Sequence, residues 1–211
     1  DDPEKIKVIY QTCHKNFRKN YSPEVLNHIK KKYSLPDEFL LNVGTIETRK
    51  NLIAVINAMT KMKNDIPLVV VGKKTKYMNF IKVQLKKLNF DQSKMIFLND
   101  VSVQELPGVY QLSSLFVYPS IFEGFGIPIL EALNCGIPII TSKDGCFKEA
   151  GGEDSAYIDP LNNEELANQM DECLTNSKLR EKMIIKGLKH AKNFEPENIS
   201  KQLINAYSSL L

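Results

Sequence analysis

Two glutamates, Glu123 and Glu131, lie close together in residues 119–131, whose sequence is PSIFEGFGIPILE. Carboxyl groups can accept hydrogen bonds from the hydroxyls of a ligand, or they can act as an acid and a base across a glycosidic bond. The glycines between them, Gly124 and Gly126, allow the backbone to approach a ligand closely. A single glutamate on a loop is often only solvated, but two glutamates around a glycine-containing loop favour a binding or catalytic site.

A second charged stretch, GTIETRKN, occupies residues 44–51. The pattern predicts a helix over residues 48–63, capped by Thr48, so Arg49 and Lys50 would lie at its amino end. Cations are unfavourable there by roughly 0.3–1 kcal/mol each, because the helix dipole is positive at that end. Two adjacent cations are explained if an anion such as phosphate binds between them. The alternative is that both side chains extend into solvent.

Alternating elements must position these two stretches. Strands are predicted at residues 39–43, 67–71, 95–98, 115–118, 137–140 and 156–158, with a further strand-like segment at 5–10. Helices are predicted between the strands, after Ser22, and at 162–175, 178–191 and 197–211. This alternation indicates an α/β fold with a Rossmann-like, doubly wound parallel sheet. Glu123 and the basic stretch would then both follow strand ends, at the edge of the sheet where ligands bind in such folds.

Other well-known sites are absent from the sequence. Neither a G-x-G-x-x-G fingerprint nor a G-x-x-x-x-G-K-[ST] phosphate loop occurs, so NAD and ATP are not the leading ligands. The cysteines and histidines lack zinc spacing, and we therefore expect no metal site. Free thiols in a reducing compartment are the simplest interpretation of the scattered cysteines, which are Cys13, Cys135, Cys146 and Cys173.

The composition is that of an ordinary globular protein. The chain has 211 residues, of which 43% are hydrophobic and 25% charged, enough for one good-sized α/β domain. A net charge of +3 is too small to argue for nucleic acid. No signal peptide is visible, and no apolar run approaches the ~20 residues of a membrane helix.

Residues 119–138, PSIFEGFGIPILEALNCGIP, resemble the signature of retaining GT-B glycosyltransferases, a class that contains mannosyl- and glucosyltransferases using nucleotide sugars. The resemblance carries specific motifs over about residues 39–160 and continues more loosely to residue 211. It implies that the chain is the carboxy-terminal, donor-binding half of a GT-B fold. It also implies hexose transfer with retention of anomeric configuration, in polysaccharide biosynthesis and without a bound metal.

The resemblance assigns roles to the charged residues. Arg49 and Lys50 would hold the diphosphate of the donor, Glu123 the hydroxyls of the transferred sugar, and Glu131 the ribose hydroxyls. The remaining donor-binding positions would be Gly44, Thr45, Phe125, Gly126 and Ile127, the last three through backbone N–H groups. Many relatives have arginine at the position of Thr45, and many have glycine at the position of Asn99, so the grip on the second phosphate and the identity of the base do not carry over.

The resemblance also divides the chain and implies its partners. Residues 1–36 would join an amino-terminal acceptor domain, residues 37–195 would bind the donor, and residues 196–211 would form a helix that crosses back. The abrupt start at Asp1 is expected of a piece of a longer protein. Such a piece would be inactive alone.

The ligand would be a substrate rather than a cofactor, a nucleoside-diphosphate sugar such as GDP-mannose or UDP-glucose. The acceptor would be a glycan or a lipid-linked sugar. The protein would be located in the cytoplasm, where a peripheral contact with the inner face of the membrane is compatible with the resemblance. Two alternatives stay open: a non-catalytic nucleotide-sugar-binding domain, and a glycoside hydrolase that uses Glu123 and Glu131.

Overall fold

Six short parallel strands form the centre of the protein in the computed structural model, which describes residues 6–209. The strands are β1 (Leu40–Val43), β2 (Leu68–Val71), β3 (Met95–Leu98), β4 (Leu115–Tyr118), β5 (Ile139–Ser142) and β6 (Ala156–Ile158). Their order across the sheet is β3-β2-β1-β4-β5-β6, and every pair of neighbours is parallel. This is the predicted doubly wound α/β fold.

Helices cover both faces of the sheet. They are α1 (Pro23–Lys32), α2 (Leu52–Met59), α3 (Tyr77–Lys87), α4 (Leu106–Leu112), α5 (Ile127–Asn134), α6 (Phe147–Gly151), α7 (Asn163–Thr175), α8 (Ser177–Ala191) and α9 (Pro196–Ser208). Side chains alternate along each strand, so β4 directs Leu115 and Val117 into one apolar core and Phe116 and Tyr118 into the other. Both faces of the central strands are therefore buried, as expected of a parallel sheet.

The strand order reverses between β1 and β4. From β1 the chain winds outward through β2 to β3, and it then returns to place β4 on the other side of β1. The loops after β1 and β4 consequently leave the sheet in different directions and open a crevice between them, which is the usual ligand site of such sheets. The two charged stretches of the sequence follow these two strands.

The turns after β1 and β2 touch each other through glycines. A Cβ atom added to Gly72 would lie 1.9 Å from the carbonyl oxygen of Gly44. No side chain fits in that space, because real Cβ atoms do not approach another atom so closely. A further backbone hydrogen bond runs between the two turns, from the N–H of Ile46 to the carbonyl oxygen of Lys73 at 3.0 Å. The turn after β1 is thereby fixed to the body of the sheet.

Three expectations about element boundaries were wrong. Residues 6–10 of the strand-like segment form no strand, and residue 5 lies outside the described part of the chain. The helix expected over residues 48–63 is instead a 3-10 turn, Thr48–Lys50, followed by α2. Asn51 separates the two because its backbone is left-handed, with φ of 55°. The fifth strand starts at Ile139 rather than Ile137, because Pro138 has no N–H to contribute to the ladder.

Candidate functional site

The turn after β1 is held against the loop after β4 by hydrogen bonds. The side-chain Nδ2 of Asn51 donates hydrogen bonds to the carbonyl oxygens of Pro119 and Pro160, at 3.1 and 2.8 Å. The carbonyl oxygen of Arg49 accepts a hydrogen bond of 2.8 Å from the N–H of Ile121. These bonds join chain segments about 70 to 110 residues apart, and they fix the backbone that carries the two cations next to the loop that carries Glu123.

Glu123 binds both cations of the turn. Its Oε1 lies 2.6 Å from Nζ of Lys50, and its Oε2 lies 2.8 Å from Nη1 of Arg49. Arg49 also pairs with Glu47 through Nε, at 2.9 Å. The side chains of Lys50 and Glu123 are only 10% and 9% exposed, whereas that of Arg49 is 46% exposed. Lys50 is therefore a fixed cation, and Arg49 is a cation with access to solvent.

Tyr118, the last residue of β4, hydrogen-bonds to both members of the Lys50–Glu123 pair. Its hydroxyl accepts a hydrogen bond from Nζ of Lys50 and donates one of 2.9 Å to Oε1 of Glu123. The ammonium group also lies 4.9 Å from the centre of the Tyr118 ring, within cation–π range. Gly44 leaves room for the lysine, because a Cβ there would lie 3.3 Å from Cε of Lys50.

The hydrogen-bond partners of Glu123 keep it ionised. Burial favours the neutral form, but hydrogen bonds from Lys50, Ser120 and Tyr118 outweigh it, and the pKa of Glu123 lies below its ordinary value. The pKa of Arg49 is raised, chiefly by its hydrogen bond to Glu123. The network thus contains two cations, Arg49 and Lys50, and two carboxylates, Glu47 and Glu123.

The loop after Glu123 packs against Tyr10, near the amino end of the described residues. Gly126 has φ of 99°, a left-handed conformation that favours glycine, and it precedes the first residue of α5. The ring of Phe125 stacks on Tyr10 at 5.1 Å between centroids, and both rings contact Phe194 at 5.5 Å. Ile127 follows as the first helical residue. This aromatic cluster, Tyr10, Phe125 and Phe194, holds the loop from the outer side.

A cleft of about 580 Å³ lies along this loop. Residues 123–127 and residues 8–11 both line it. Cys146 also lines the cleft, and its thiol donates a weak hydrogen bond of 3.3 Å to the carbonyl oxygen of Glu123. The volume is within the range of small-molecule sites.

Glu131 lies apart from the cluster. It occupies the second turn of α5, and its Oε2 accepts a hydrogen bond of 2.9 Å from the hydroxyl of Tyr110 in α4. Burial raises the pKa of Glu131 to about 7, although the Tyr110 hydroxyl acts in the opposite direction. The structure therefore joins Arg49, Lys50 and Glu123 in one network and places Glu131 in a second, more apolar environment.

Sequence reasoning missed several residues that build the site. Tyr118 belongs to an apolar predicted strand and Tyr110 to a predicted helix, and both are fully buried. Asn51 follows the two cations directly, and Ser120, which donates a hydrogen bond of 2.7 Å to Oε1 of Glu123, precedes that glutamate by three residues. Either polar neighbour could have been singled out. Thr45 is exposed at the crevice edge, and Gly44 is half-buried beneath Lys50. Among residues 6–209, no three Asp, Glu, His or Cys side chains come together to hold a metal ion.

Comparison with known proteins identifies the family. The family model described as glycosyl transferases group 1 matches residues 26–190. The chain is 32% identical over 196 residues to O-antigen chain mannosyltransferase B of Escherichia coli, covering 90% of this chain and 51% of that protein. It is 30% identical over 197 residues to the serotype-specific mannosyltransferase WbdA of the same organism, covering 91% of this chain and 24% of WbdA. The chain belongs to the group 1 glycosyltransferases, and it spans between about a quarter and a half of these relatives.

Solved structures agree on the fold. A glycosyltransferase from Rickettsia africae superimposes with a TM-score of 0.88 at 22% identity, over 99% of this chain and 58% of that one. HepE from Anabaena, solved in complex with UDP-glucose, superimposes with a TM-score of 0.85 at 22% identity, over 96% of this chain and 57% of that one. The C-terminal domain of a group 1 glycosyltransferase, LpcC from Francisella tularensis, superimposes with a TM-score of 0.68 at 25% identity, over 82% of this chain and 94% of that one. The fold is that of the carboxy-terminal half of GT-B enzymes.

Proposed function

We propose that the chain is the donor-binding half of a retaining hexosyltransferase, which binds a nucleoside-diphosphate sugar and transfers its hexose to a glycan or lipid-linked acceptor. The observation that carries this proposal is the cluster of Arg49, Lys50 and Glu123 at the point where the strand order reverses. The mannosyltransferase relatives and the UDP-glucose complex of HepE support the class of donor. A glycoside hydrolase would not need two cations beside Glu123.

Lys50 and Arg49 take different parts in binding the diphosphate. Negative charge develops on the diphosphate as the bond to the sugar breaks, and preorganised cations stabilise that charge without reorganising. Lys50 meets this requirement because its side chain is buried in the space that Gly44 leaves open and hydrogen-bonds to Tyr118. Arg49 is nearly half exposed, so its guanidinium can turn towards a phosphate with little change in the fold. It compensates for the threonine at position 45.

Glu123 exchanges partners when the donor binds. The diphosphate competes with Glu123 for the two cations, and the released carboxylate oxygens accept hydrogen bonds from hydroxyls of the sugar. Backbone N–H groups of Phe125, Gly126 and Ile127, at the start of α5, meet oxygens of the sugar and the phosphate. Glu131, farther along the same helix, accepts hydrogen bonds from the ribose hydroxyls.

The chain divides into a donor-binding domain and two connecting segments. Residues 37–195 form the donor-binding domain, and residues 1–36 and 196–211 connect it to an amino-terminal half that supplies the acceptor site. Helix α9 exposes apolar side chains that such a half would cover: Leu203, Ile204 and Tyr207 are 42%, 62% and 67% exposed. The chain alone would bind donor and show almost no transfer, because positioning of the acceptor supplies a large part of the rate.

Titration calorimetry with UDP, GDP and the matching nucleosides tests the binding site. We expect the 211-residue chain to bind one diphosphate with a free energy of about −8 to −4 kcal/mol. The double variant Arg49→Ala, Lys50→Ala should lose about 1.5–3 kcal/mol per charge-assisted contact, with nucleoside binding unchanged. The matched control is Lys73→Ala with Lys74→Ala, in the turn after β2. Unaltered diphosphate affinity in the first variant would contradict the proposal.

A transfer assay tests the reaction. The chain is supplied with the amino-terminal half of its full-length protein, fused or in trans, and incubated with a labelled nucleotide sugar. We expect turnover with the anomeric configuration of the donor retained, as read by NMR. An inverted product would contradict the proposed mechanism, and donor binding without turnover would favour a non-catalytic nucleotide-sugar-binding domain.

A further inference from the structure

Positive charge is concentrated in the segment that contains α3. Residues 72–90 carry six lysines and no acidic residue, namely Lys73, Lys74, Lys76, Lys82, Lys86 and Lys87. The whole chain has a net charge of +3, so the remaining 192 residues together carry −3. This segment is therefore a basic region on a protein that is otherwise slightly acidic, and the charge is fixed at one edge of the sheet, beside β2 and β3.

Helix α3 also presents apolar side chains to solvent. Its inner face is formed by Met78, Ile81 and Leu85, which are buried. A stripe on the opposite side, at spacings of four, three and four residues, consists of Lys76, Phe80, Val83 and Lys87. Phe80 is 44% exposed and Val83 is 49% exposed. Two apolar side chains thus lie at the centre of the outward face, with lysines at both ends.

The six lysines of residues 72–90 are not neutralised by the protein. Among residues 6–209, no carboxylate oxygen lies within 4.0 Å of Nζ of any of the six. Lys74 has only an aromatic partner, the ring of Phe97 at 5.6 Å. Helix α8 also has four lysines, but Glu181 lies among them and Lys182 pairs with Asp154 at 3.0 Å. The charges of residues 72–90 remain available to an external anionic partner.

We infer that the outward face of α3 binds the surface of an anionic lipid bilayer. Lys76, Lys86 and Lys87 would contact lipid phosphates, and Phe80 and Val83 would enter the headgroup region. Clustered lysines on a helix attract anionic lipid, and apolar side chains on the same face add the burial that a purely electrostatic contact lacks. The phosphates of a nucleic acid would contact the lysines, but they would not bury the apolar side chain of Val83. This inference does not depend on the proposed donor site.

Vesicle flotation with the 211-residue chain tests the inference. The vesicles consist of phosphatidylglycerol and phosphatidylethanolamine, and vesicles of phosphatidylcholine serve as the neutral reference. We expect the chain to float with the anionic vesicles only. The triple variant Lys76→Glu, Lys86→Glu, Lys87→Glu should lower the partition coefficient by at least about tenfold. The double variant Phe80→Ser, Val83→Ser should lower it as well, and the residual binding should be more sensitive to salt.

Helix α8 supplies matched controls, since it exposes lysines beside Ile185 and Leu188. The variants are Lys178→Glu, Lys186→Glu, Lys189→Glu and, separately, Ile185→Ser, Leu188→Ser, and both should bind vesicles like the wild type. Circular dichroism checks folding, and Lys→Gln changes at the three α3 positions replace the charge reversals if those unfold the chain.

Four results would overturn the inference. The first is absence of wild-type binding to anionic vesicles, and the second is equal binding to the neutral ones. The third is an α8 charge reversal that weakens binding as much as the α3 reversal does. The fourth has two parts: the Phe80→Ser, Val83→Ser variant binds vesicles as well as the wild type does, and the α3 lysine variant loses binding to duplex RNA. That result would indicate a general polyanion-binding surface instead.

Discussion

Lys50 and Glu123 are 73 residues apart in the sequence, yet Nζ of the lysine lies 2.6 Å from Oε1 of the glutamate. The contact exists because β1 and β4 are parallel neighbours in the sheet, so the loops that follow them both start at the carboxyl ends of the strands. Tyr118 completes the network from the floor of the crevice. The pair therefore has two properties that can be separated by experiment, namely its part in stability and its part in binding anions.

Lys50 and Arg49 should differ in their effect on stability. Lys50→Ala leaves the buried carboxylate of Glu123 without its closest cation, so we expect the free energy of unfolding to fall by about 1–3 kcal/mol. Arg49→Ala should change it by less than about 1 kcal/mol, because an exposed ion pair contributes little. Both variants should lose affinity for nucleoside diphosphate. Urea unfolding followed by circular dichroism measures the first quantity, and calorimetry the second. Equal losses of stability would show that the difference in burial has no energetic consequence.

Glu131→Gln should stabilise the protein at alkaline pH. Burial raises the pKa of Glu131 from an ordinary value of 4.5 to about 7, so the folded state favours the protonated acid. The corresponding stability is present below pH 4.5 and is lost as the pH rises through 7. The neutral glutamine escapes this loss, and at pH 8 we expect a gain on the order of 2 kcal/mol that shrinks towards pH 4.5. Thermal unfolding across this pH range measures it, with Glu181→Gln on the surface of α8 as the control. A gain that does not vary with pH would contradict the assignment.

The same substitution should weaken binding of the ribose. An ionised carboxylate accepts two hydrogen bonds from a vicinal diol, so affinity of the wild type for UDP or GDP should rise as the pH passes 7. Glu131→Gln should flatten this rise and lower the affinity. A 2′,3′-dideoxy nucleoside diphosphate should bind wild type and variant alike. Calorimetry at several pH values gives these comparisons, and a variant that still discriminates against the dideoxy ligand as the wild type does would place the ribose elsewhere.

Tyr10 should position the donor loop through its contact with Phe125. Tyr10→Ala removes the stacked ring, so the loop should lose its fixed position and the affinity for a nucleotide sugar should fall by about 0.5–1.5 kcal/mol. Affinity for the nucleoside diphosphate alone should fall less, because Lys50 and Arg49 lie on another loop. Tyr10→Phe should restore the wild-type value. Tyr207→Ala, at an exposed position of α9, is the control. Equal losses for the sugar-bearing and sugar-free ligands would argue against a role at this loop.

The sheet was predictable because each strand is an apolar run between turn residues, and the structure has strands at six of the predicted places. The start of α2 was not predictable from capping alone. Thr48 has the residue type of a cap, but Asn51 binds the carbonyl oxygens of Pro119 and Pro160, and the long-range hydrogen bonds hold it in a left-handed conformation that ends the first turn. Local preference yielded to tertiary contacts there.

The site was predictable to the extent that its charges stand out in the sequence. Arg49, Lys50 and Glu123 could be singled out, and the sheet explains why they meet. Their aromatic supports could not be, because Tyr118 and Tyr110 have the pattern of core residues and act through single hydroxyl groups. The stacking of Tyr10 on Phe125 links residues 115 positions apart, and no local pattern indicates such a contact.

The close approach of Gly72 to Gly44 has a consequence for genetics. Any substitution at position 72 would push the β1 turn outward by the thickness of a methyl group, and Lys50 would move with it. A random-mutagenesis screen for lost activity should therefore recover changes at Gly72 although this residue has neither a charge nor a side chain. Suppressors of such alleles should fall in the two turns themselves rather than among the charged side chains.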